Sequence, residues 1–179
     1  MKKLLLHVCC GPCAIYAARQ LQKNYQVTLF FYNPNIWPEQ EYQKRLAAVR
    51  CWSEPEDLEL VTGAFNQEKW YELIRGLENE PESGQRCLIC YQMRLLEAAR
   101  YAKENGFECL ATTLTSGRNK KAAVINPLGL KAAESLGLEF IEADWKKQGG
   151  QAESCRLAKQ TGLYRQHYCG CEYSVASNR

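Results

Sequence analysis

Seven of the ten cysteines in this 179-residue chain occur in three short groups. Along the chain these are Cys9, Cys10 and Cys13, then Cys87 and Cys90, and finally Cys169 and Cys171. A Cys-x-x-Cys spacing lets two sulfur atoms converge on one metal ion or cluster. Seven thiols exceed the ligand set of one tetrahedral zinc. They suffice for a four-cysteine iron–sulfur cluster, with two or three left for a second metal ion or a redox pair, so the groups predict a metal centre.

Two other chemistries account for part of this pattern. The tetrapeptide Cys10-Gly11-Pro12-Cys13 matches the active site of thioredoxin-like proteins, so a thiol oxidoreductase working through Cys10 and Cys13 is one alternative. It leaves Cys9 and both later groups without a role. The second alternative is a zinc-dependent nucleic-acid-binding module without turnover. The single cysteines are predicted to be structural: Cys51, Cys109 and Cys155.

Several polar residues are candidates for catalysis or for contact with a substrate. Asp144 follows the last predicted strand, and its carboxyl group is a candidate proton donor together with the hydroxyl of Tyr168. Cys13 is a candidate catalytic thiol. Basic and hydroxyl side chains suited to phosphate or ribose are the candidate substrate-binding residues: Arg86, Thr115, Arg118, Lys120, Lys146 and Arg165. His7 lies inside an apolar run and is predicted to be a core residue.

The elements that position these groups alternate between strand and helix. The apolar run over 2–8 predicts a strand buried on both faces, and Gly11 and Pro12 turn the chain into a helix over 14–21. Further strands are predicted over 26–32, 58–61, 109–114 and 138–143, and further helices over 38–52, 66–77, 91–105, 122–136 and 151–160. This order predicts an α/β fold: a Rossmann-like parallel sheet with helices on both faces, plus a small C-terminal tail that contains cysteines.

Length and composition agree with one globular domain. The chain is 46% hydrophobic and 24% charged, which excludes disordered and fibrous classes. We predict a single domain over 1–179, in which segment 149–179 completes the metal site. The net charge of +3 permits a nucleic-acid partner without requiring one. No secretory signal or membrane-length apolar run is seen, so we expect a cytoplasmic protein without a membrane partner. A reducing compartment disfavours disulfides and favours metal binding.

Taken together, four motifs resemble those of the cobalamin-independent epoxyqueuosine reductases. They are His7-Val8-Cys9-Cys10-Gly11-Pro12-Cys13, Arg86-Cys87-Leu88-Ile89-Cys90-Tyr91 with Arg94-Leu95, Thr112-Thr113-Leu114, and Tyr164 to Cys171. The family has a Ser-Pro-His-Lys type sequence after the Thr-Thr-Leu strand, whereas this chain has Thr115-Ser116-Gly117-Arg118-Asn119-Lys120. A histidine role in that loop therefore does not apply here.

The resemblance implies the last step of queuosine biosynthesis, in which an epoxide on a modified base at the wobble position of tRNA is reduced to an alkene. It also implies a [4Fe-4S] cluster and an adjacent metal ion, an iron, held by ligands drawn from the seven grouped cysteines. Deoxygenation needs two electrons, which no side chain supplies, so an external electron donor is expected as a partner besides tRNA.

Overall fold

A parallel sheet of five strands forms the centre of the molecule in the computed structural model, which describes residues 1–147 and 149–176. The strands are β1 (Lys2–Val8), β2 (Tyr25–Phe31), β3 (Leu60–Thr62), β4 (Cys109–Thr112) and β5 (Glu139–Phe140). The helices are α1 (Gly11–Leu21), α2 (Glu39–Ser53), α3 (Gln67–Leu73), α4 (Gln85–Glu104), α5 (Ala122–Glu134), α6 (Gly150–Gln160) and α7 (Glu172–Ala176). Within the described ranges, no helix combines the length and apolar character needed to cross a membrane.

The spatial order of the strands is β3-β2-β1-β4-β5, and every neighbouring pair is parallel. In the register, His7 of β1 lies between Phe30 of β2 and Thr112 of β4. This order matches the first five strands of the doubly wound dinucleotide-binding fold. The predicted Rossmann-like α/β class is therefore confirmed.

Side chains on β1 alternate between two hydrophobic cores. Leu4, Leu6 and Val8 are buried in the core formed with α1, α2 and α6, whereas Leu5 is buried in the core formed with α3, α4 and α5. All four are fully buried. A strand covered on both faces has no solvent-facing side, which explains its continuous apolar sequence. Helices thus cover both faces of the sheet, as predicted.

After β1 and after β4 the chain crosses to opposite faces of the sheet. After β1 it continues into α1 on one face, and after β4 it continues into α5 on the other face. Parallel doubly wound sheets open a crevice at the carboxyl ends of the two strands where this reversal occurs. The residues that follow Val8 and Thr112 therefore border that crevice.

The start of α4 differs from the prediction. The sequence analysis placed Cys87 and Cys90 before a helix that begins at about Tyr91, but the helix begins at Gln85. Both cysteines therefore lie on its first turns, three positions apart and on one face. Gly84 precedes the helix with an extended backbone and provides no side-chain cap, so the usual sequence signal of a helix start is absent.

Three other predicted elements are shorter in the structure than the sequence indicated. The helix predicted over 66–77 ends at Leu73 and is followed by Gly76 with a φ of 86°. The strand predicted over 109–114 ends at Thr112, because the Thr112 hydroxyl accepts a hydrogen bond from the Leu114 amide and a 3₁₀ turn follows. The last strand is two residues long, and α7 was not predicted.

Candidate metal centre

The first cysteine group forms a compact set of sulfur atoms at the carboxyl end of β1. Cys9 and Cys10 follow the strand, and Cys13 lies in the first turn of α1. The three Sγ atoms all lie within 4.8 Å of one another. In the part of the chain that the structure describes, this is the one set of three or more histidine, cysteine or acidic ligands that is so closely spaced.

These three thiols share their protons unequally. Hydrogen bonds from Cys10 and Cys13 hold the pKa of the Cys9 thiol well below its usual range. Burial raises the pKa of Cys10 to about 12, and the hydrogen bonds with Cys10 and Cys9 raise that of Cys13. The group therefore offers a thiolate supported by two thiols. Since Cys10 is only 1% exposed, it is poorly placed for disulfide exchange with another protein.

The other two cysteine groups lie close to each other, although 79 positions separate Cys90 from Cys169 in the sequence. Burial raises the pKa of the Cys87 and Cys90 thiols, and the charges of Cys169 and Cys171 raise both further. The amide of Ser83 donates a hydrogen bond to Cys87 Sγ at 3.3 Å. Four thiols thus converge from the start of α4 and from the segment that precedes α7.

A buried arginine places the C-terminal cysteines. Arg45 of α2 is 1% exposed, and its guanidinium donates hydrogen bonds to the carbonyl oxygens of Cys169 and Tyr168 at 3.0 and 3.1 Å. Its Nε donates to Glu41 at 2.7 Å. Segment 149–179 was predicted to complete the metal site, and these hydrogen bonds attach its cysteines to α2. Residues 177–179 of that segment lie outside the described residues.

A second buried arginine joins the cysteines of α4 to the end of β1. Arg94 lies one turn after Cys90, with Nη1 at 4.0 Å from its sulfur, and Nη2 donates to Asn33 Oδ1. Asn33 in turn donates from Nδ2 to the carbonyl oxygen of Val8 at 3.0 Å. The two cysteine sets are therefore held in a fixed relation by side chains that are themselves fully buried.

Lys120 adds a third cation between the two sets. Its side chain is nine-tenths buried, and it makes no ion pair or hydrogen bond with any described residue. Burial lowers the pKa of a lysine, but the thiols of Cys169 and Cys9 outweigh this effect and raise the pKa of Lys120. Buried cations without carboxylate partners require negative charge nearby. Thiolates, or an anionic thiolate-bound cluster, supply that charge, so the donor set fits such a cofactor.

A cavity of about 450 Å³ opens beside these groups. Thiol side chains from two cysteine groups line it, namely those of Cys9, Cys13 and Cys169. Trp145 also lines it and is fixed by a hydrogen bond from Nε1 to the Thr112 carbonyl oxygen at 2.8 Å. The wall thus combines sulfur, a rigid aromatic ring and the ammonium group of Lys120.

The residues predicted to be catalytic occupy different positions. Cys13 and Tyr168 line the cavity, but the Tyr168 hydroxyl donates to the carbonyl oxygen of Trp37 and the ring lies 5.3 Å from the Arg45 guanidinium. Asp144 lines a neighbouring hollow rather than the cavity and lies 3.7 Å from Lys146 Nζ. The structure therefore brings two of the three to the cavity.

The predicted substrate-binding residues also divide. Arg118, Lys120 and Arg165 line the cavity. Arg86 is 3% exposed and donates to the carbonyl oxygens of Leu77, Glu78 and Glu80, so it organises the loop before α4. Thr115 is fully buried. Lys146 donates to the carbonyl oxygens of Gly117 and Lys120 and fixes the loop between them.

The single cysteines and His7 complete the account of the predicted residues. Of the single cysteines, which were predicted to be structural, Cys109 is buried, but Cys51 is exposed and Cys155 is half-buried at the cavity. His7 is fully buried, with Nδ1 2.9 Å from the Thr112 hydroxyl and Nε2 3.2 Å from the Tyr32 carbonyl oxygen. Because a carbonyl only accepts, Nε2 is the protonated nitrogen. Burial lowers the His7 pKa to about 3, so the ring is neutral.

The sequence is similar to that of known proteins over nearly its whole length. The family model described as epoxyqueuosine reductase QueH matches residues 4–177. A protein of Acinetobacter baylyi named epoxyqueuosine reductase QueH is 37% identical over 175 residues, covering 97% of this chain and 80% of that protein. One from Thermotoga maritima with the same name is 34% identical over 185 residues, covering 100% and 93%.

Among solved structures, the fold is similar to that of the U34-tRNA thiolase NcsA from Methanococcus maripaludis, which was determined with its [4Fe-4S] cluster. The TM-score is 0.61 at 17% identity, and the match covers 97% of this chain and 61% of that one. At this identity the likeness concerns the fold alone.

Proposed function

This chain belongs to the epoxyqueuosine reductase QueH family, and we propose that its cysteine-lined cavity is where epoxyqueuosine in tRNA is reduced to queuosine. The protein is an oxidoreductase of queuosine biosynthesis. The main support for placing the reaction in this cavity is that Cys9, Cys13 and Cys169 all line it, at the carboxyl edge of the sheet. In the reaction both epoxide C–O bonds break and a C=C bond forms. Two electrons and two protons are consumed, and the oxygen leaves as water.

The seven grouped cysteines divide into sets that suit two different metal groups. At a metal–sulfur distance of about 2.3 Å, two thiolates on one tetrahedral ion lie about 3.8 Å apart. The set Cys9, Cys10 and Cys13, within 4.8 Å, fits a single ion with one open position. Ligands of a cluster bind different iron atoms and lie further apart, and four are needed. The remaining four supply that number: Cys87, Cys90, Cys169 and Cys171. When bound, a [4Fe-4S] cluster supplies the low-potential electrons that side chains lack.

Lys120 is well placed to stabilise the departing oxygen. It lines the cavity, is nine-tenths buried and keeps its positive charge close to Cys9 and Cys169. A preorganised cation in a site of low dielectric stabilises negative charge that develops on an oxygen atom. Tyr168 and Asp144 remain predicted proton donors. Tyr168 lines the same cavity, although its hydroxyl donates to the carbonyl oxygen of Trp37, and Asp144 lines the neighbouring hollow.

The substrate base fits the remaining wall of the cavity. Trp145 and Tyr168 present aromatic side chains there, and such rings stack on bases that have left an RNA stack. The wobble base lies in a single-stranded loop, so extruding it costs little. Since tRNA is the substrate, we also propose a cytoplasmic location and an external electron donor.

The test uses protein purified without oxygen, an anticodon stem-loop RNA that carries epoxyqueuosine, and dithionite as a chemical electron donor. We expect queuosine in the nucleoside digest by mass spectrometry, with about four sulfides and about five irons per chain. Iron-loaded protein that binds the RNA but forms no queuosine contradicts the proposed site. Zinc without sulfide would instead favour the nucleic-acid-binding module, and disulfide reduction without metal would favour the thioredoxin-like alternative.

A further inference from the structure

A second hollow, of about 590 Å³, lies next to the cavity and shares Arg118 and Lys120 with it. We propose that this hollow, here called the basic hollow, binds the backbone phosphate of the tRNA nucleotide whose base enters the cavity. The inference deepens the proposed function and rests on it for the identity of the RNA. Its ligand class, a phosphodiester, follows from the side chains and the backbone groups that line the hollow.

The basic hollow carries an excess of positive charge. Five cationic side chains line it against two carboxylates, those of Glu142 and Asp144. The cations are Arg118, Lys120, Lys121, Lys146 and Lys147. Asp144 already has a partner in Lys146. Arg118, Lys121 and Lys147 are exposed, and none of them forms an ion pair with another residue in the described ranges. Their charge is therefore available to a ligand.

The backbone adds donors to these charges. Helix α5, 13 residues long, begins in the basic hollow, where Ala122 and Ala123 form part of the wall. Lys121 precedes it without a side-chain cap, and its first turn has no acidic residue. The first amide groups of a helix lack acceptors within the helix and point outwards. A phosphate oxygen satisfies them, and the lysines around it neutralise the charge.

Lys120 connects the basic hollow to the cavity, because its side chain lines both spaces. This side chain is nine-tenths buried, and its ammonium group forms no hydrogen bond or ion pair with a carboxylate within the described part of the chain. The loop that carries it is fixed by Lys146, which donates to the carbonyl oxygens of Gly117 and Lys120. One nucleotide therefore spans both spaces, with its base beside Trp145 and its phosphate beside Lys121.

The first test measures how RNA binding depends on salt. The Lys121→Gln/Lys147→Gln double variant is compared with wild type, using an unmodified anticodon stem-loop RNA. Each lost phosphate contact reduces the magnitude of the slope of log K against log salt by about 0.7 for a single strand. Because both lysines contact the same phosphate, we expect a reduction of about 0.7. The matched control is Lys131→Gln, an exposed lysine at the far end of the same helix, which should leave the slope unchanged. Equal slopes for wild type and double variant would overturn the proposal.

The second test locates the phosphate. A stem-loop with one neutral methylphosphonate linkage beside the wobble nucleotide should bind wild type about tenfold more weakly than the unaltered RNA does. The loss should be smaller in the double variant, which lacks two of the five cations around the phosphate. Fully additive losses would contradict the assignment. Iron content and the visible spectrum of the double variant should equal those of wild type. If the iron-loaded wild-type protein forms no queuosine, the proposed function is overturned, but the test of phosphate binding by the basic hollow is unaffected.

Discussion

The guanidinium of Arg45 donates a hydrogen bond to the backbone carbonyl of Cys169 at 3.0 Å, across 124 positions of sequence. Its second terminal nitrogen bonds the carbonyl of Tyr168, and its Nε bonds Glu41. The C-terminal cysteines are thus placed by α2, an element that contributes no cysteine to the centre. Arg45 is therefore a positioning residue for the metal site.

Replacing Arg45 should harm both stability and metal content. In Arg45→Gln the Glu41 carboxylate remains buried without its partner, so we expect the free energy of unfolding to fall by about 3–5 kcal/mol. The iron content of the purified protein should fall with it, because Cys169 loses its anchor. Denaturant titration and iron analysis test this. The control is Arg19→Gln, which breaks a partly exposed ion pair with Glu56 and should cost less than about 1 kcal/mol. Equal losses in both variants would contradict the role of Arg45.

Removing either cysteine of α4 should bleach the protein. In Cys87→Ala or Cys90→Ala a cluster loses one of its four thiolate ligands, and we expect the visible charge-transfer absorption and the sulfide content to fall together. Cys51→Ala is the matched control, because Cys51 is exposed on α2 and belongs to none of the three cysteine groups. Unchanged spectra in both α4 variants would rule out these ligands.

Cys13→Ala should have a different effect. If the three closely spaced thiols hold a single ion, the variant should lose about one iron per chain and keep its sulfide and most of its visible absorption. Iron and sulfide analysis of the same sample separates this outcome from that of the α4 variants. Loss of sulfide in Cys13→Ala would show that the two sets do not divide as proposed.

The stability of the protein should fall in strongly alkaline solution, in part through Cys109. Burial and the nearby Glu139 carboxylate together raise the pKa of this thiol to about 11, against the opposing effect of Lys2. In the unfolded chain the thiol has its ordinary pKa of 9.0, so the unfolded state releases a proton at lower pH than the folded state does. The stabilisation is present below about pH 9 and is lost as the pH rises through about 11. Denaturation across this range should show wild type losing more stability than Cys109→Ala. If the free energies of unfolding of wild type and Cys109→Ala fell in parallel with pH, the proposed contribution of Cys109 would be contradicted.

The parts of the fold that the sequence predicts best have strong local signals. The apolar run of β1, the Gly11-Pro12 turn and the cysteines after it indicate a strand end that carries thiols, and the structure has them there. The start of α4 was missed for an equally local reason. The polar run with Pro81 and Gly84 resembles a loop, and no capping side chain marks where the helix begins.

The residues that hold the two cysteine sets together were beyond sequence reasoning. Arg45 falls on the stripe of α2 that also carries Tyr42 and Leu46, but an arginine in a charged helix is more commonly exposed. Arg94 lies four positions after Cys90 on α4, and its sequence position likewise gave little indication that it would be buried. Their partners are Asn33 and main-chain carbonyl groups far along the chain, and pairing over such distances has no local pattern.

The three cysteine groups come from regions of the chain that lie about eighty positions apart, and this separation has a consequence for maturation. Contacts so distant in sequence form late in folding, because each closes a long loop at an entropic cost. A metal ion captured earlier would meet ten thiols in no defined arrangement. We therefore expect maturation to run in one order, tertiary structure first and cofactor second. The intensity of the protein's colour would then report how much of the chain has reached its native tertiary structure.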